Sequence, residues 1–275
     1  FAHQMLGALF HPQQYLHIIG AGMLTGRFNE HLSGKVLVFA DESTWGGDPA
    51  AANKLKGMVT ESTVPIERKF LPLVEEPSCL HIVIASNNEW PIDIPRDDRR
   101  FMVLDVAEAK RQDDAYFAPL REELKNGGLE AMLFDLLAHA VDGHALRHPL
   151  HTEAKREVMA QSLKAIERWW YENLQTGSLY GNEWKQQVDK AILHADYLSF
   201  LDQLRDTRSR RSTETELGMF LSKHAKALSG RGFWTLKPLE DCRRLWAEDC
   251  GWGPDYRWPE NEDDARMAER DEPPF

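Results

Sequence analysis

The stretch Lys35-Val-Leu-Val-Phe-Ala-Asp41-Glu42 constrains this chain more than any other: an apolar strand-like run stopped abruptly by two adjacent carboxylates. In open α/β sheets ligands gather at the carboxyl ends of strands, which places Asp41 and Glu42 where a nucleotide would sit. An Asp there holds Mg²⁺ through its water shell, and the neighbouring Glu orients or deprotonates the water that attacks a γ-phosphate. Acids also end ordinary surface strands, so the pair alone leaves both readings open.

A second run, His81-Ile-Val-Ile-Ala-Ser86-Asn87-Asn88, again ends in polar groups. An Asn amide at such a strand end can hydrogen-bond the γ-phosphate or the attacking water. Arg96-Asp-Asp-Arg99-Arg100-Phe101 follows and leads into a further apolar strand, Phe101-Met-Val-Leu. A guanidinium offered to a neighbouring subunit's nucleotide would stabilise the transferred phosphoryl charge, whereas a surface salt bridge to Asp97 or Asp98 is the plainer alternative. Between the two strands, Val64-Pro-Ile-Glu-Arg68-Lys69-Phe-Leu-Pro72 predicts a hairpin with a basic tip, able to grip strand phosphates or simply to be solvated.

Along the chain, residues 1–110 alternate short apolar strands with helical segments, the pattern of an α/β layer with a mainly parallel sheet. Residues 111–180 read as a helical subdomain. It has a helix stop at Gly127-Gly128, a helix from Leu129 to Val141 with Leu133, Leu136, Leu137 and Ala140 on one face, and one long helix from Glu153 to Leu174. In 181–252 a helix from Trp184 to Leu204 precedes a basic stretch, Arg205 to Arg211. Thr213 with Glu216 then forms a capping box, a short strand follows Gly230, and a last helix spans Leu239 to Glu248. Helix, helix, strand, helix with basic residues predicts a winged-helix-like domain. Residues 253–275, acidic and Pro-containing, are expected to be disordered.

The formal net charge of −11 speaks only weakly against nucleic acid, because much of it lies in that acidic tail and a ring-shaped protein needs positive charge only along its channel. No apolar run approaches the roughly 20 residues of a membrane span, so a soluble, intracellular protein is expected. Cys79, Cys242 and Cys250 are too scattered for a disulfide framework and are expected to be reduced. Four histidines, His139, His144, His148 and His151, cluster without metal-ligand spacing. Trp169, Trp170 and Tyr171 fit core contacts better than base stacking. The basic set Arg208, Arg210, Arg211, Lys223, Lys226 and Arg231 is a DNA-binding candidate, with a solvated surface as its equal competitor.

Leu24-Thr-Gly-Arg-Phe-Asn29, Asp41-Glu42, Leu55-Lys-Gly-Met-Val-Thr-Glu61, the Lys69 segment, Ala85-Ser-Asn-Asn-Glu-Trp90 and Asp98-Arg-Arg-Phe101 occur in the order found in superfamily 3 helicases. Over residues 20–110 the chain resembles the helicase part of phage and plasmid primase-polymerase-helicase proteins. The resemblance implies a P-loop NTPase sheet of AAA+ type, a hexameric ring, ATP and Mg²⁺ as cofactors, single-stranded DNA as partner, and an upstream primase-polymerase domain. It also implies roles: Asp41 and Glu42 as Walker B acids, Asn87 as sensor, Lys69 as the gripping lysine beside Arg68, and Arg99 as arginine finger with Arg100 as its substitute. One departure stands out, for no G-x-x-x-x-G-K-[ST] loop occurs in the chain. The resemblance places that loop, with the first strand, just before Phe1, so a chain truncated there should turn ATP over negligibly alone. A non-catalytic DNA-binding or assembly module is the alternative reading.

Overall fold

The computed structural model describes residues 2–143, 150, 152–204, 211–252 and 256–259. Two units divide it: Phe1–Ile94 with Arg99–Ser162, and Pro95–Asp98 with the residues from Leu163 onward. The fold is mixed α/β.

In the first unit α1 (Ala2–Ala8) leads into β1 (Tyr15–Ile19), α2 (Gly22–Thr25), β2 (Leu37–Asp41), α3 (Pro49–Thr60), the hairpin β3 (Thr63–Ile66) and β4 (Val74–Pro77), and β5 (His81–Ile84). β1, β2 and β5 form a parallel sheet in the order β1-β2-β5, with Ile19 opposite Asp41 and Ala40 opposite Ile84. Parallel strands need covered faces. Ile18, Val38 and Ala40 pack with Leu24 and with Ala52, Leu55 and Met58 of α3, while Val64 and Ile66 bring the hairpin into the same core. Each large side chain so buried contributes about 1.5–3 kcal/mol. α3 starts where its pattern says it should: the Asp48 carboxylate accepts from Ala51 N at 3.0 Å, and Pro49 fills the first turn.

α4 (Asp114–Glu123) and α5 (Leu129–Ala138) turn about Gly127, whose φ of +98° suits glycine. α5 ends at Ala138, three residues short of the expected Val141. Of the face formed by Leu133, Leu136, Leu137 and Ala140, all four are exposed, as is Phe134. α6 (Glu153–Gln161), capped by Thr152, completes the unit.

Two further expectations fail here. The strand at Phe101 does not form: Phe101 and Val103 pack on the core while Met102 and Leu104 are exposed, but this alternating segment pairs with no strand among the described residues. Alternation without a neighbour to take the backbone bonds makes no strand. The single helix from Glu153 to Leu174 is two helices, because Ser162 breaks it. Its Oγ accepts from Ile94 N at 2.9 Å and from Trp90 Nε1 at 3.1 Å, and donates to Val158 O at 2.9 Å.

In the second unit α7 (Ala165–Thr176) is followed by the two-residue strands β6 (Ser178–Leu179) and β7 (Asn182–Glu183), then by β8 (Gln187–Asp189), α8 (Lys190–Gln203), α9 (Glu214–His224), β9 (Leu228–Ser229), β10 (Phe233–Thr235) and α10 (Leu239–Asp249). β8, β10 and β9 make an antiparallel sheet in that order. The helix expected from Trp184 begins at Lys190, since the Asp189 carboxylate caps it by accepting from Ala191 N and Ile192 N. Thr213 and Glu216 form the expected capping box. Gly218 lets α9 approach β10 closely: a Cβ there would sit 2.6 Å from the Trp234 ring. Trp169, Trp170 and Tyr171 are buried, as expected of core contacts.

The tail expected to be disordered from residue 253 has an ordered part. Tyr256 and Trp258 pack with Trp252 and Tyr171, and Arg243 donates to Pro259 O at 3.2 Å. Aromatic side chains so close to a buried aromatic cluster outweigh the acidic composition. Residues 260–275 lie outside the described residues. No described helix is long and apolar enough to cross a membrane.

Cys242 and Cys250 are buried, and burial pushes the Cys242 thiol up to about 11 and the Cys250 thiol higher still, whereas Cys79 is exposed. At pH 8 one thiol of the native chain should therefore react with a disulfide reagent within minutes and the other two only after denaturant is added. Two fast thiols in the native chain would contradict this packing.

Candidate functional site at the carboxyl ends of the parallel strands

The sheet brings the two polar strand ends together. Ala85 N donates to Ala40 O at 2.9 Å and Ser43 N to Ala85 O at 3.4 Å, so the chain leaving β2 runs beside the chain leaving β5. Thr44 Oγ1 and Ser86 Oγ lie 3.2 Å apart across that junction. Asp41, Glu42, Ser86 and Asn87 thus share one edge of the sheet, at the carboxyl ends where open parallel sheets bind ligands.

Asp41 is half-buried and oriented from two sides. Its Oδ1 accepts from Glu42 N at 3.1 Å, and its Oδ2 lies 3.5 Å from His17 Nε2. His17 stacks on His3 of α1 with ring centroids 4.1 Å apart, and both rings pack near Phe39. Burial lowers the His3 pKa, helped by neighbouring His17, while burial and the Asp41 charge raise that of Tyr15, whose hydroxyl donates to His3 O.

Glu42 is exposed and adopts φ +49°, a left-handed conformation that costs a non-glycine residue on the order of 1 kcal/mol. Asn87 is exposed, with no side-chain bond to any described residue. Arg99 is likewise exposed and without a side-chain partner among the described residues, while Arg100, also exposed, has one. No group of three or more His, Cys, Asp or Glu among the described residues could hold a metal directly. His139 is described, whereas His144, His148 and His151 lie outside the described residues.

The hairpin separates the two basic residues expected at its tip. Arg68 lies at the base, with Nε 3.1 Å from Glu30 Oε1 and Nη2 3.0 Å from Glu76 Oε1. Asn29, buried, donates to Pro65 O at 2.9 Å and accepts from Glu67 N at 2.7 Å, so the motif residue Asn29 fixes the start of the loop. Lys69 remains exposed, its ammonium 5.1 Å from the Phe70 ring, and Phe70 is 92% exposed with φ +66°. Phe70 was not singled out by its sequence context. The signal available was an aromatic next to a lysine inside a predicted turn, where burial cannot be its purpose.

In the second unit Arg211 is paired to Asp202 at 2.5 Å. Arg208 and Arg210 lie outside the described residues. A cavity of about 620 Å³ opens between α9 and the sheet, lined by Lys190, Met219, Lys223 and Trp234 among others.

Comparison with known proteins gives a consistent picture. Residues 1–100 match a family of unknown function, DUF5906. The DNA primase-polymerase of Nitratiruptor phage NrS-1 is 25% identical over 201 residues, 72% of this chain. The chain spans only 25% of that relative's length. Two apo structures of the NrS-1 C-terminal region resemble it with TM-scores of 0.57 and 0.59, each at 19% identity; they cover 84% and 86% of this chain, and 62% and 63% of theirs. The chain is thus a distant homologue of a phage primase-polymerase, similar in fold to its C-terminal region.

Proposed function

We propose that this chain is the greater part of an ATP-driven DNA helicase module of phage or plasmid replication, acting as a ring, a hexamer by family resemblance, on single-stranded DNA inside the bacterial host. One observation carries the reading: Asp41 and a strained Glu42 share the carboxyl edge of a parallel sheet with Ser86 and Asn87. A parallel sheet with β2 between β1 and β5 is compatible with part of an AAA+ type P-loop sheet, and the helix pair α8 and α9 beside β8-β10-β9 with a winged helix. Similarity to a phage primase-polymerase supports the replication setting and an upstream primase-polymerase domain.

The residues present fit the metal and water side of a nucleotide site but supply no phosphate cradle, since the sequence has no G-x-x-x-x-G-K-[ST] loop. Mg²⁺ and ATP, when bound, supply the divalent charge and the phosphoryl group. Asp41, whose Oδ1 accepts from Glu42 N, would hold the ion through its water shell. Glu42 would orient and deprotonate the attacking water. Asn87 would hydrogen-bond the same water or the terminal phosphate oxygens. Arg99, or Arg100 in its stead, would serve a neighbouring subunit's site and stabilise developing charge there. Lys69 grips the strand backbone, Phe70 stacks on a base, and Arg68 braces the hairpin that carries them. Arg208, Arg210 and Arg211 are further DNA contacts.

ATP-dependent displacement of a labelled strand from a forked duplex, by the chain extended upstream through the residues encoded before it, tests the reading. Failure to displace the strand in a folded, oligomeric protein would contradict it. The hairpin is tested more finely by single-strand binding against salt. Lys69→Ala should flatten the slope of log affinity against log salt by about 0.7, one phosphate's worth of counterion release. Phe70→Ala should cost about 1–3 kcal/mol with the slope unchanged, because stacking carries no charge. Equal slope changes in both variants would remove the division of labour.

A second reading, a DNA-binding or assembly module without catalysis, is favoured by the missing loop. It predicts DNA binding without turnover in the extended protein.

A further inference from the structure

Pro95–Asp98 belongs to the second unit, although Ile94 before it and Arg99 after it belong to the first. Within that unit Arg96 is held on several sides. Its side chain is only 16% exposed, with Nη2 3.2 Å from Glu167 Oε1, Nη1 3.8 Å from Asp249 Oδ2, and the guanidinium carbon 4.8 Å from the centroid of the Trp246 ring. Each partner is itself fixed. Glu167 accepts from Lys164 N in the capping box that starts α7. Trp246 of α10 is fully buried and stacks on Tyr171 of α7. Asp249 ends α10 and lies 2.5 Å from His224 Nδ1 at the end of α9. One guanidinium is therefore held by α7 and α10 directly and by α9 through Asp249. Arginine suits this place because its planar guanidinium meets Glu167 at 3.2 Å, lies within ion-pair reach of Asp249 at 3.8 Å, and sets its face on an aromatic ring. Two residues on, Asp98 is buried, and the next residue, Arg99, is exposed and unpartnered among the described residues.

We propose that Arg96 is a positioning residue for Arg99: it anchors the strap Pro95–Asp98 that leads directly into the arginine finger, and so limits where that guanidinium can reach. The proposal rests on the ATPase reading of Asp41, Glu42 and Arg99. An arginine acting on a transferred phosphoryl group depends on its placement to within about an ångström, where misplacement costs on the order of 10²-fold in rate. Losing the anchor leaves Arg99 present but unplaced.

The test uses the chain extended upstream, assayed for ATP turnover with single-stranded DNA, together with amide hydrogen exchange over residues 95–101. Arg96→Ala should lower kcat by about 10²-fold with KM for ATP unchanged. Arg99→Ala should lower it further, by about 10³-fold, and the double variant should match Arg99→Ala alone, because a finger already removed has no placement to lose. Arg96→Lys, which keeps a cation between Glu167 and Asp249, should restore part of the rate. Exchange over 97–100 should quicken in Arg96→Ala while that of α7 stays as it was. Additive losses, a wild-type kcat in Arg96→Ala, or unchanged exchange would overturn the proposal. If Arg96→Ala does not fold, Glu167→Gln replaces it and should show the same pattern more weakly. An extended wild-type protein without turnover refutes the ATPase reading and the positioning role together, whereas quickened exchange in that case would show that the anchor itself is real.

Discussion

Replacing Glu42 by Gln is expected to lower ATP turnover of the chain extended upstream by about 10²–10⁴-fold, the usual contribution of a positioned general base. The substitution keeps size and hydrogen bonding but removes the ability to take a proton. Because Glu42 is exposed and its side chain bonds no described residue, nothing structural should be lost with it. ATP affinity should be retained, since the carboxylate acts on water rather than on the nucleotide. The control is Glu42→Gly, which relieves the φ of +49°. It should be no less stable than the parent and as inactive as Glu42→Gln, separating strain from chemistry. Turnover in Glu42→Gln within a few-fold of the parent would remove Glu42 from the mechanism.

The largest stability effect is expected from Trp170→Ala, about 3–5 kcal/mol. Trp170 is fully buried in the second unit, with ring centroids 6.0 Å from Trp169, 5.6 Å from Trp184 and 6.5 Å from Phe220. It joins α7, the segment before β8 and α9. Its Nε1 is buried without a hydrogen-bond partner among the described residues, so truncation opens a cavity but breaks no polar bond described there. Trp170→Phe should therefore recover much of the loss, unlike Trp169, whose Nε1 donates to Asp196 at 2.8 Å. Urea unfolding followed by the remaining tryptophans measures both variants. A cost below about 1 kcal/mol for Trp170→Ala would mean that this aromatic cluster is not the core of the unit.

Much of this arrangement is legible in the sequence where the signal is local. An apolar run ended by Asp41-Glu42 marks a strand and its carboxyl end, and Thr213 with Glu216 marks a helix start, because a strand stop and a capping box are decided by neighbouring residues. What could not be read depends on partners far along the chain. Leu163 and Ile166 keep helical phase with Met159, so nothing nearby reveals the break at Ser162. The break depends on bonds to Ile94 and Trp90, about seventy residues away. Phe101 to Leu104 alternates as a strand should, yet a strand also needs a neighbour. Arg96 looks like one more surface charge among Asp97, Asp98, Arg99 and Arg100, and only the fold places Trp246, Glu167 and Asp249 around it. In the hairpin, spacing alone gives Arg68 and Lys69 the same role, whereas Glu30 and Glu76 hold Arg68 and Lys69 stays exposed over Phe70.

The most direct measurement is steady-state ATP hydrolysis by the chain extended upstream, with and without single-stranded DNA, alongside Glu42→Gln. Turnover that rises with DNA and collapses in the Gln variant is the predicted result. No turnover from a folded and oligomeric extended protein, with DNA binding retained, would contradict the motor reading and leave a DNA-binding or assembly module in its place.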